Sequence, residues 1–271
     1  MKGEEYDAEA TAELRKLMDR TKIYDLGGEW VSSIGDLLKR AADPNVRTLV
    51  GGRTPLMFSA WNGDVEAVRL LLDAGADAKA KDNPCCEGYT CSALGLPHEE
   101  ISAGKAQRIT KLLLRAGADP NTIGYENNSV LQDAVGADNF PVAKMLVDAG
   151  ADVDYQNNDG TTALMGAASI KSLRLVKFLL ERGADPELMD HEGGVALMDA
   201  CRHNHYSHCY EGGKLTRWKY EVQEAAAKIV QELLAAGADT SAKNSDGKTA
   251  MDFTSEEDPL VRQALLSNNK S

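Results

Sequence analysis

The sequence predicts an all-α solenoid of stacked antiparallel helix pairs, because a two-part motif recurs along it at a nearly constant interval. The tripeptide Gly-Ala-Asp follows a leucine-rich run five times within 271 residues. Successive copies lie 42, 33, 33 and 54 residues apart, which indicates a base period of 33 residues with two insertions. Aromatic residues make up only 6% of the chain, a composition that suits thin stacked layers better than one large core. The five copies begin at Gly75, Gly117, Gly150, Gly183 and Gly237.

Residues 52–82, GRTPLMFSAWNGDVEAVRLLLDAGADAKAKD, contain the clearest copy of the unit. The Thr-Pro pair at residues 54–55 is typical of a helix N-cap followed by its first position. Gly63 interrupts this helix, and an apolar stripe over residues 65–72 predicts a second, antiparallel helix. Gly75 is expected at positive φ just past its end, followed by a polar, hairpin-like finger. Because one unit cannot bury its own apolar face, neighbouring units must stack.

This unit resembles the ankyrin repeat, whose pattern has a period of 33 residues and a Thr-Pro-Leu-His-x-Ala signature. Variants of that signature begin at Ser129, Thr162, Val195 and Thr249, and the resemblance covers residues from about 30 to 266. It implies an ankyrin-repeat solenoid of about six to seven repeats including caps. It also implies that finger tips and first helices line a concave surface that binds a partner.

We expect one solenoid domain with a capping segment at each end. Residues 1–51 are assigned to an N-terminal capping repeat, 52–247 to the ankyrin repeats, and 248–271 to a C-terminal cap and tail. The finger at residues 80–91 is five residues longer than the others, and residues 203–223 are interpreted as an insertion that prolongs both helices of one repeat. Such insertions often carry binding, although a longer exposed connection also costs little free energy.

The charge of the chain indicates what kind of partner it has. The net charge is −12, and no basic run provides the footprint that a phosphate backbone requires, so we expect no nucleic-acid partner. Residues 121–192 hold twelve acidic and five basic residues, which favours a protein with a basic surface. The alternative is that the acidic surface only keeps the chain soluble.

The sequence also favours a monomeric, cytoplasmic protein without a membrane segment. No window approaches eighteen consecutive apolar residues, and the first residues lack the apolar core of a secretory signal. An odd number of cysteines, five, without a disulfide framework indicates a reducing compartment.

No pattern of residues predicts an enzyme, a cofactor site or a metal site. Nucleophile-elbow, phosphate-loop and His-Glu-x-x-His motifs are absent from the sequence. Cys201, His205 and Cys209 have helical spacing and are the metal-ligand candidates, but zinc needs four ligands, so we expect packing and surface roles instead. The neighbouring thiols of Cys85, Cys86 and Cys91 need no role beyond a finger tip.

The resemblance assigns partner binding to positions that the repeat signature does not dictate. Trp61, Tyr89 and Tyr125 would be amphipathic anchors, and Asp159 and Glu192 would add negative charge. Each of these side chains could equally be plain solvent-exposed surface. The whole set is Arg53, Trp61, Asn62, Tyr89, Tyr125, Glu126, Asn128, Asn158, Asp159, Thr161, Ser169, Ile170, His191, Glu192, Arg202 and His203.

Three functions fit these observations. The first is a non-catalytic protein–protein interaction module, an adaptor or an inhibitor, that binds a basic partner. The second is an immunity or antitoxin-like protein, or an effector, that blocks the active site of an enzyme. The third is a metal- or ligand-responsive regulator that uses the His- and Cys-rich insertion.

Overall fold

The computed structural model describes residues 6–20, 29–83, 91–95, 101–124, 127–202, 217–255 and 258–267. These residues belong to two compact units. The first comprises Met1–Asp133 and Asp148–Ala151, and the second Ala134–Val147 and Asp152–Ser271. Within the described residues both units are helical, and the extended pairing is limited to two isolated bridges, Lys81 with Ser92 and Ile123 with Ser129.

Short helices alternate with fingers along the chain. The first unit contains α1 (Ala8–Arg20), α2 (Glu29–Lys39), α3 (Pro55–Trp61), α4 (Val65–Asp73) and α5 (Ala103–Arg115). Helix α6 (Val130–Gly136) starts in the first unit and ends in the second. The second unit continues with α7 (Phe140–Asp148), α8 (Ala163–Ser169), α9 (Leu173–Glu181), α10 (Ala196–Cys201), α11 (Arg217–Ala235), a 3₁₀ turn at Ala250–Phe253, and α12 (Pro259–Ser267).

A threonine caps the first helix of two described pairs, α3 and α8. The hydroxyl of Thr54 accepts a hydrogen bond from the backbone N–H of Met57 at 3.4 Å, and Thr162 does the same for Met165 at 3.3 Å. Pro55 occupies the first turn of α3, where its missing N–H removes no useful hydrogen bond. The helix starts predicted from the repeated signature are therefore confirmed at these two positions.

A residue in the left-handed region ends each second helix. The glycine of Gly-Ala-Asp has a positive φ in every copy, from 86° at Gly183 to 101° at Gly237. The degenerate first copy has Ala41 at this position, with φ at 61°. A Cβ in this conformation is unfavourable by about 1–2 kcal/mol, which explains why glycine recurs here.

The three fingers of the second unit at residues 157–161, 190–194 and 244–248 are five-residue hairpins, each closed by one side chain. The Oδ1 atom of Asn157 accepts the backbone N–H groups of Asp159 and Thr161 at 3.0 and 2.9 Å. Asp190 and Asn244 hold the next two fingers in the same way. In the first unit Asp82 pairs with Cys91: its backbone N–H donates to the Cys91 carbonyl at 2.9 Å, and its Oδ1 accepts the Cys91 N–H at 2.6 Å. Residues 84–90 of this longer finger lie outside the described residues.

Neighbouring fingers are joined by hydrogen bonds at two levels. Near the base, Asp154 Oδ1 accepts the backbone N–H of Asp185 at 2.9 Å, as Asn45 Oδ1 does for Asp77 at 2.7 Å in the first unit. Near the tip, the backbone N–H of His191 donates to the Asp159 carbonyl at 2.8 Å. The fingers therefore stack as the helices do, and residues at one finger position form a column.

Aromatic residues anchor the helix layers of each unit. In the first unit the indole N–H of Trp30 donates to the buried Ser59 hydroxyl at 3.0 Å, and its ring lies 6.2 Å from that of Phe58. In the second unit Phe140 meets Phe178 edge to face at 5.3 Å. The remaining core consists mainly of leucine, alanine and valine, as the composition predicts.

The expected fold class, an all-α stack of antiparallel helix pairs with hairpin fingers, is confirmed. One detail of the insertion differs from the expectation. Helix α10 ends at Cys201, and Arg202 has an extended backbone, so the first helix of this pair is not prolonged. The second helix, α11, begins at Arg217 and has 19 residues, whereas α9 has nine. Residues 203–216 lie outside the described residues.

Lys171 provides the missing cap at the end of α10. Lys171 has a φ of 61° and lies two residues after the end of α8, the position that Gly63 occupies after α3. Its Nζ donates to the carbonyl oxygens of Asp199, Ala200 and Arg202 at 2.6, 2.9 and 3.1 Å. The last carbonyls of a helix have no partner within it, so a cation there satisfies them and complements the helix dipole. Burial lowers the pKa of Lys171 to about 8, which leaves it mostly charged at neutral pH.

Asp199, beside this cap, is a poorly solvated carboxylate. Its side chain is 19% exposed, and the guanidinium of Arg202 is 3.9 Å away, too far for a hydrogen bond. The pKa of Asp199 is raised to about 6, mainly by burial and in smaller part by the negative charge of Asp190, while Arg202 and Lys171 oppose the rise. The charged form of Asp199 therefore destabilises the folded state.

We expect the substitution Ala41→Gly to stabilise the protein by about 0.5–1 kcal/mol, because relief of the left-handed strain exceeds the extra entropy of glycine in the unfolded chain. Urea unfolding followed by circular dichroism measures the change. The matched control is Ala74→Gly, at a right-handed position with φ of −85°, which should destabilise the protein. An equal loss of stability in both variants would contradict the prediction.

We expect stability to fall as pH rises from about 4 to 7 through the titration of Asp199. Its folded pKa of about 6 lies above the ordinary 3.8, so the folded state binds the proton more tightly and loses that advantage once the carboxyl ionises. The shift corresponds to roughly 3 kcal/mol. In Asp199→Asn this part of the slope should disappear, with a gain in stability at pH 7 and little change at pH 4.

Urea unfolding across that pH range tests this expectation. The control Asp246→Asn, at an exposed finger tip, should retain the wild-type slope. A wild-type slope in Asp199→Asn would show that other groups cause the pH dependence.

Candidate functional site

The candidate binding surface of each unit consists of its finger tips and the solvent-facing sides of its first helices. In the second unit the tips place Asn158, Asp159, His191 and Glu192 in solvent. Asp159 and Glu192 belong to adjacent fingers and stand at equivalent positions, nine residues after Gly150 and Gly183. Within the described residues, neither carboxylate accepts a hydrogen bond.

Asp246 extends this set to a third finger. It is also exposed and lies nine residues after Gly237. The backbone N–H of Ser245 donates to the Glu192 carbonyl at 2.7 Å, which joins the third finger to the second. We name Asp159, Glu192 and Asp246 the acidic tip column. Asp246 was not among the predicted site residues, although its fixed distance from the glycine would have identified it.

Other acidic residues of these fingers have structural duties. Asp185 accepts the backbone N–H of Glu187 at 2.9 Å, and Asp239 accepts that of Ser241 at 2.7 Å. Asp190 accepts two backbone N–H groups, at 2.9 and 2.6 Å. The Asp of Gly-Ala-Asp, at 185 and 239, is therefore a turn residue. The acidic tip column is therefore distinct from the carboxylates that build the fingers.

The predicted first-helix residues of the second unit are only partly accessible. Ser169 and Ile170 are half-buried at the end of α8, and Thr161 is held in its finger by its backbone N–H. Arg202 is exposed, and its guanidinium carbon lies 5.0 Å from the centre of the Phe253 ring. A cation on an aromatic face is favoured in that orientation, so Arg202 presents a positive group at the end of α10.

In the first unit, Arg53 and Trp61 are brought together. The guanidinium carbon of Arg53 lies 4.7 Å from the centre of the Trp61 ring. Arg53 Nε is 3.8 Å from Asp82 Oδ2. Burial raises the pKa of Asp82. The hydrogen bond from the Cys91 N–H and the charges of Arg53 and Arg47 lower this pKa in part.

Trp61 is not the exposed anchor that the sequence suggested. Its residue surface is 5% exposed, because the Phe58 ring stacks on one side at 6.2 Å and Arg53 covers it as well. Equivalent positions in later repeats carry Gly136 and Ser169, so nothing in the repeat pattern indicated an enclosed ring.

The other predicted residues have more local roles or cannot be placed. Asn62 Nδ2 donates to the Phe58 carbonyl at 2.7 Å and so caps α3, and Asn128 closes its finger by accepting the Gly124 N–H at 2.8 Å. The predicted partner-binding residues Tyr89, Tyr125, Glu126 and His203 lie outside the described residues.

Among the metal-ligand candidates, Cys201 is described and is 3% exposed. Burial raises its pKa to about 12, so it is a neutral thiol at physiological pH, whereas a metal ligand must be a thiolate. His205 and Cys209 lie outside the described residues, as do Cys85 and Cys86. Within the described part of the chain, no group of three or more His, Cys, Asp or Glu side chains is arranged to hold a metal ion.

The helices were expected to include no membrane span. No helix in the described ranges combines the length and the apolar character needed to cross a bilayer.

Comparison with known proteins identifies the repeat. A family model for ankyrin repeats in three copies matches residues 98–190 and 131–210, and a single ankyrin-repeat model matches residues 51–83. The chain is similar to an ankyrin repeat and KH domain-containing protein of Caenorhabditis briggsae, at 28% identity over 128 residues. It is also similar to ankyrin repeat, SAM and basic leucine zipper domain-containing protein 1 of Otolemur garnettii, at 42% identity over 71 residues.

The matched segments cover 40% and 26% of this chain but only 5% and 14% of those two relatives. Among solved structures, the human ASB11 ankyrin repeat domain matches 92% of this chain and 98% of its own, with a TM-score of 0.64 and 19% identity. The Bcl-3 ankyrin repeat domain, from the IkappaB family, matches 97% of this chain and 100% of its own, with a TM-score of 0.61 and 21% identity. At these identities the structural matches establish the fold alone.

The family models together cover more than half of the chain, and the described helices, left-handed turns and fingers have the arrangement of the same repeat. Ankyrin repeats are general protein–protein interaction modules and are not typically catalytic. The chain belongs to the ankyrin-repeat family.

Proposed function

We propose that this chain is a non-catalytic interaction module whose second unit binds a basic segment of a partner protein on the acidic tip column. The observation that supports this most directly is the repetition of an exposed acid at one position in three consecutive fingers, Asp159, Glu192 and Asp246. Lysine or arginine side chains along a partner segment could pair with successive members of such a column.

The freedom of these carboxylates supports a binding role over a structural one. Asp246 has an ion pair with Lys248 at 3.3 Å between two largely exposed side chains, a kind of contact worth little in stability. Asp159 and Glu192 have no ion pair with another described residue. Their charges therefore contribute little to folding and are available to a ligand.

The surroundings of the column add contacts besides charge. Met189 is 49% exposed in the same finger as Glu192, and His191 is exposed between them. A flexible thioether adapts to varied apolar groups, so it would contact the stem of a lysine or a neighbouring apolar side chain. Such a surface would serve an adaptor or an inhibitor equally, and the odd number of cysteines in the sequence, five, suits a reducing, cytoplasmic setting.

Neutralisation of the column should slow association with a basic ligand. We expect Asp159→Asn/Glu192→Gln to reduce the association rate about fivefold at low salt and to flatten its salt dependence, because these charges steer the encounter. The ligand is a lysine- and arginine-containing peptide selected on the full chain from a random displayed library, and surface plasmon resonance measures the rates. Stability should change by less than about 0.5 kcal/mol.

A matched double variant on the second helices, Glu181→Gln/Glu224→Gln, removes the same charge from α9 and α11. It should keep most of the wild-type association rate. If the library yields no excess of basic peptides, or if both double variants slow association equally, the acidic column is not the binding surface.

A further inference from the structure

We propose that the first unit carries a second recognition site, in which Arg53, held on Trp61, binds a carboxylate of an extended partner segment while Leu49 and Val50 contact an adjacent apolar side chain. This site lies in one finger and the helix that follows it. It differs in charge from the acidic tip column and does not depend on it.

The guanidinium of Arg53 is held in place before any ligand arrives. Its backbone N–H donates to Thr48 Oγ1 at 2.9 Å, and its carbonyl accepts the Thr48 N–H at 3.0 Å. The Arg53 side chain passes close to Gly51: a Cβ atom added there would lie 3.6 Å from Nε. Its planar guanidinium lies over the Trp61 ring. A cation fixed in this way loses little entropy when it binds.

The donors of this pair are not satisfied within the protein. Among the described residues, the two terminal nitrogens of Arg53 donate no hydrogen bond, and Nε and the indole Nε1 of Trp61 are buried without an acceptor. Trp61 is only 5% exposed, so an indole N–H without an acceptor costs folding free energy. A carboxylate of a ligand would provide the acceptor that the terminal nitrogens of Arg53 lack within the described residues.

Asp82 does not fill that role. Its Oδ2 stands 3.8 Å from Arg53 Nε, beyond hydrogen-bond distance, and its Oδ1 is occupied by the Cys91 N–H at 2.6 Å. Its side chain is 8% exposed, and the guanidinium atom that it approaches is Nε. The side chain of Arg53 is 36% exposed although its Nε is buried, so the terminal nitrogens are the donors that we assign to the carboxylate, in bidentate geometry.

The tip of this finger is apolar where the fingers of the second unit are acidic. Leu49 and Val50 are 78% and 86% exposed, the largest exposed fractions among the big apolar side chains of the described residues. Val50 lies nine residues after Ala41, the position that the acids occupy in the column. The Thr48 hydroxyl donates to the Val50 carbonyl at 2.7 Å and holds the tip in shape.

The charge of the described finger residues favours an anionic occupant. Residues 47–53 and 77–83 carry Arg47, Arg53, Lys79 and Lys81 against Asp77 and Asp82, a net charge of +2. A protein segment fits better than nucleic acid, because the tip offers apolar surface and the chain as a whole has a net charge of −12.

Peptide selection on the full chain tests the site. A random displayed library is panned on the wild-type protein, and the recovered peptides are compared for binding to Arg53→Ala, to Arg53→Lys and to the control Arg108→Ala on the exposed side of α5. We expect a class of peptides that contain Asp or Glu next to an apolar residue and that lose about tenfold in affinity with Arg53→Ala. Arg53→Lys should lose part of that affinity, because lysine cannot pair in bidentate geometry, and Arg108→Ala should lose none.

A double-mutant cycle makes the test specific. Replacing the acid of a selected peptide by its amide should weaken binding to the wild type about tenfold but binding to Arg53→Ala less than about twofold. The selected peptide should also shift one of the three indole N–H signals in the NMR spectrum, the one lost in Trp61→Phe. Circular dichroism confirms that each variant is folded.

The proposal is overturned if no recovered peptide depends on Arg53, or if those that do lack an acidic residue. It is overturned equally if a single-stranded oligonucleotide binds the wild-type chain more tightly than the peptides do and loses that binding in Arg53→Ala. Either result leaves the acidic tip column untouched, because that column is tested by basic peptides and by other residues.

Discussion

The left-handed residue at the end of each second helix is the constraint on which the rest of the structure depends. It turns the chain out of the helix, and the Asp two residues later accepts the N–H group two positions on, as Asp77 does for Lys79 at 2.8 Å. That turn sets the start of the finger, and the finger leads to the start of the next first helix. Because one backbone conformation recurs in every Gly-Ala-Asp copy, the fingers of the second unit hold their tip residues at one fixed distance from that glycine.

This local chemistry explains why so much of the fold could be predicted from the sequence. Capping threonines, glycines at positive φ and turn aspartates act within a few residues, so each leaves a signal at a fixed spacing. Contacts between distant residues leave no such signal. The enclosure of Trp61 depends on Phe58 and Arg53 together, and the Lys171 cap depends on where the end of α10 lies in space. For the same reason the pattern did not show that α10 ends at Cys201.

The same difference between local signals and distant contacts decides which parts of the candidate sites could be predicted. Asp159 and Glu192 were identified from the sequence because the finger tip is a fixed position in the repeat. Asp246 occupies that position too and could have been found by the same reasoning. The unsatisfied donors of Arg53 and Trp61 could not, because an orphaned hydrogen-bond group becomes visible only when all neighbours within a few ångströms are known.

The finger tips combine a rigid backbone with side chains that folding leaves free. In the second unit the turn is closed by Asn157, Asp190 and Asn244, which precede the tip, so the side chain of the tip residue is not needed to close it. A substitution there changes the charge presented to a partner without weakening the hairpin. This accounts for the presence of Val50 at one copy of the position and acids at others. On the binding role proposed for these surfaces, specificity would be encoded at the tips, whereas the Gly-Ala-Asp turn that carries them stays constant.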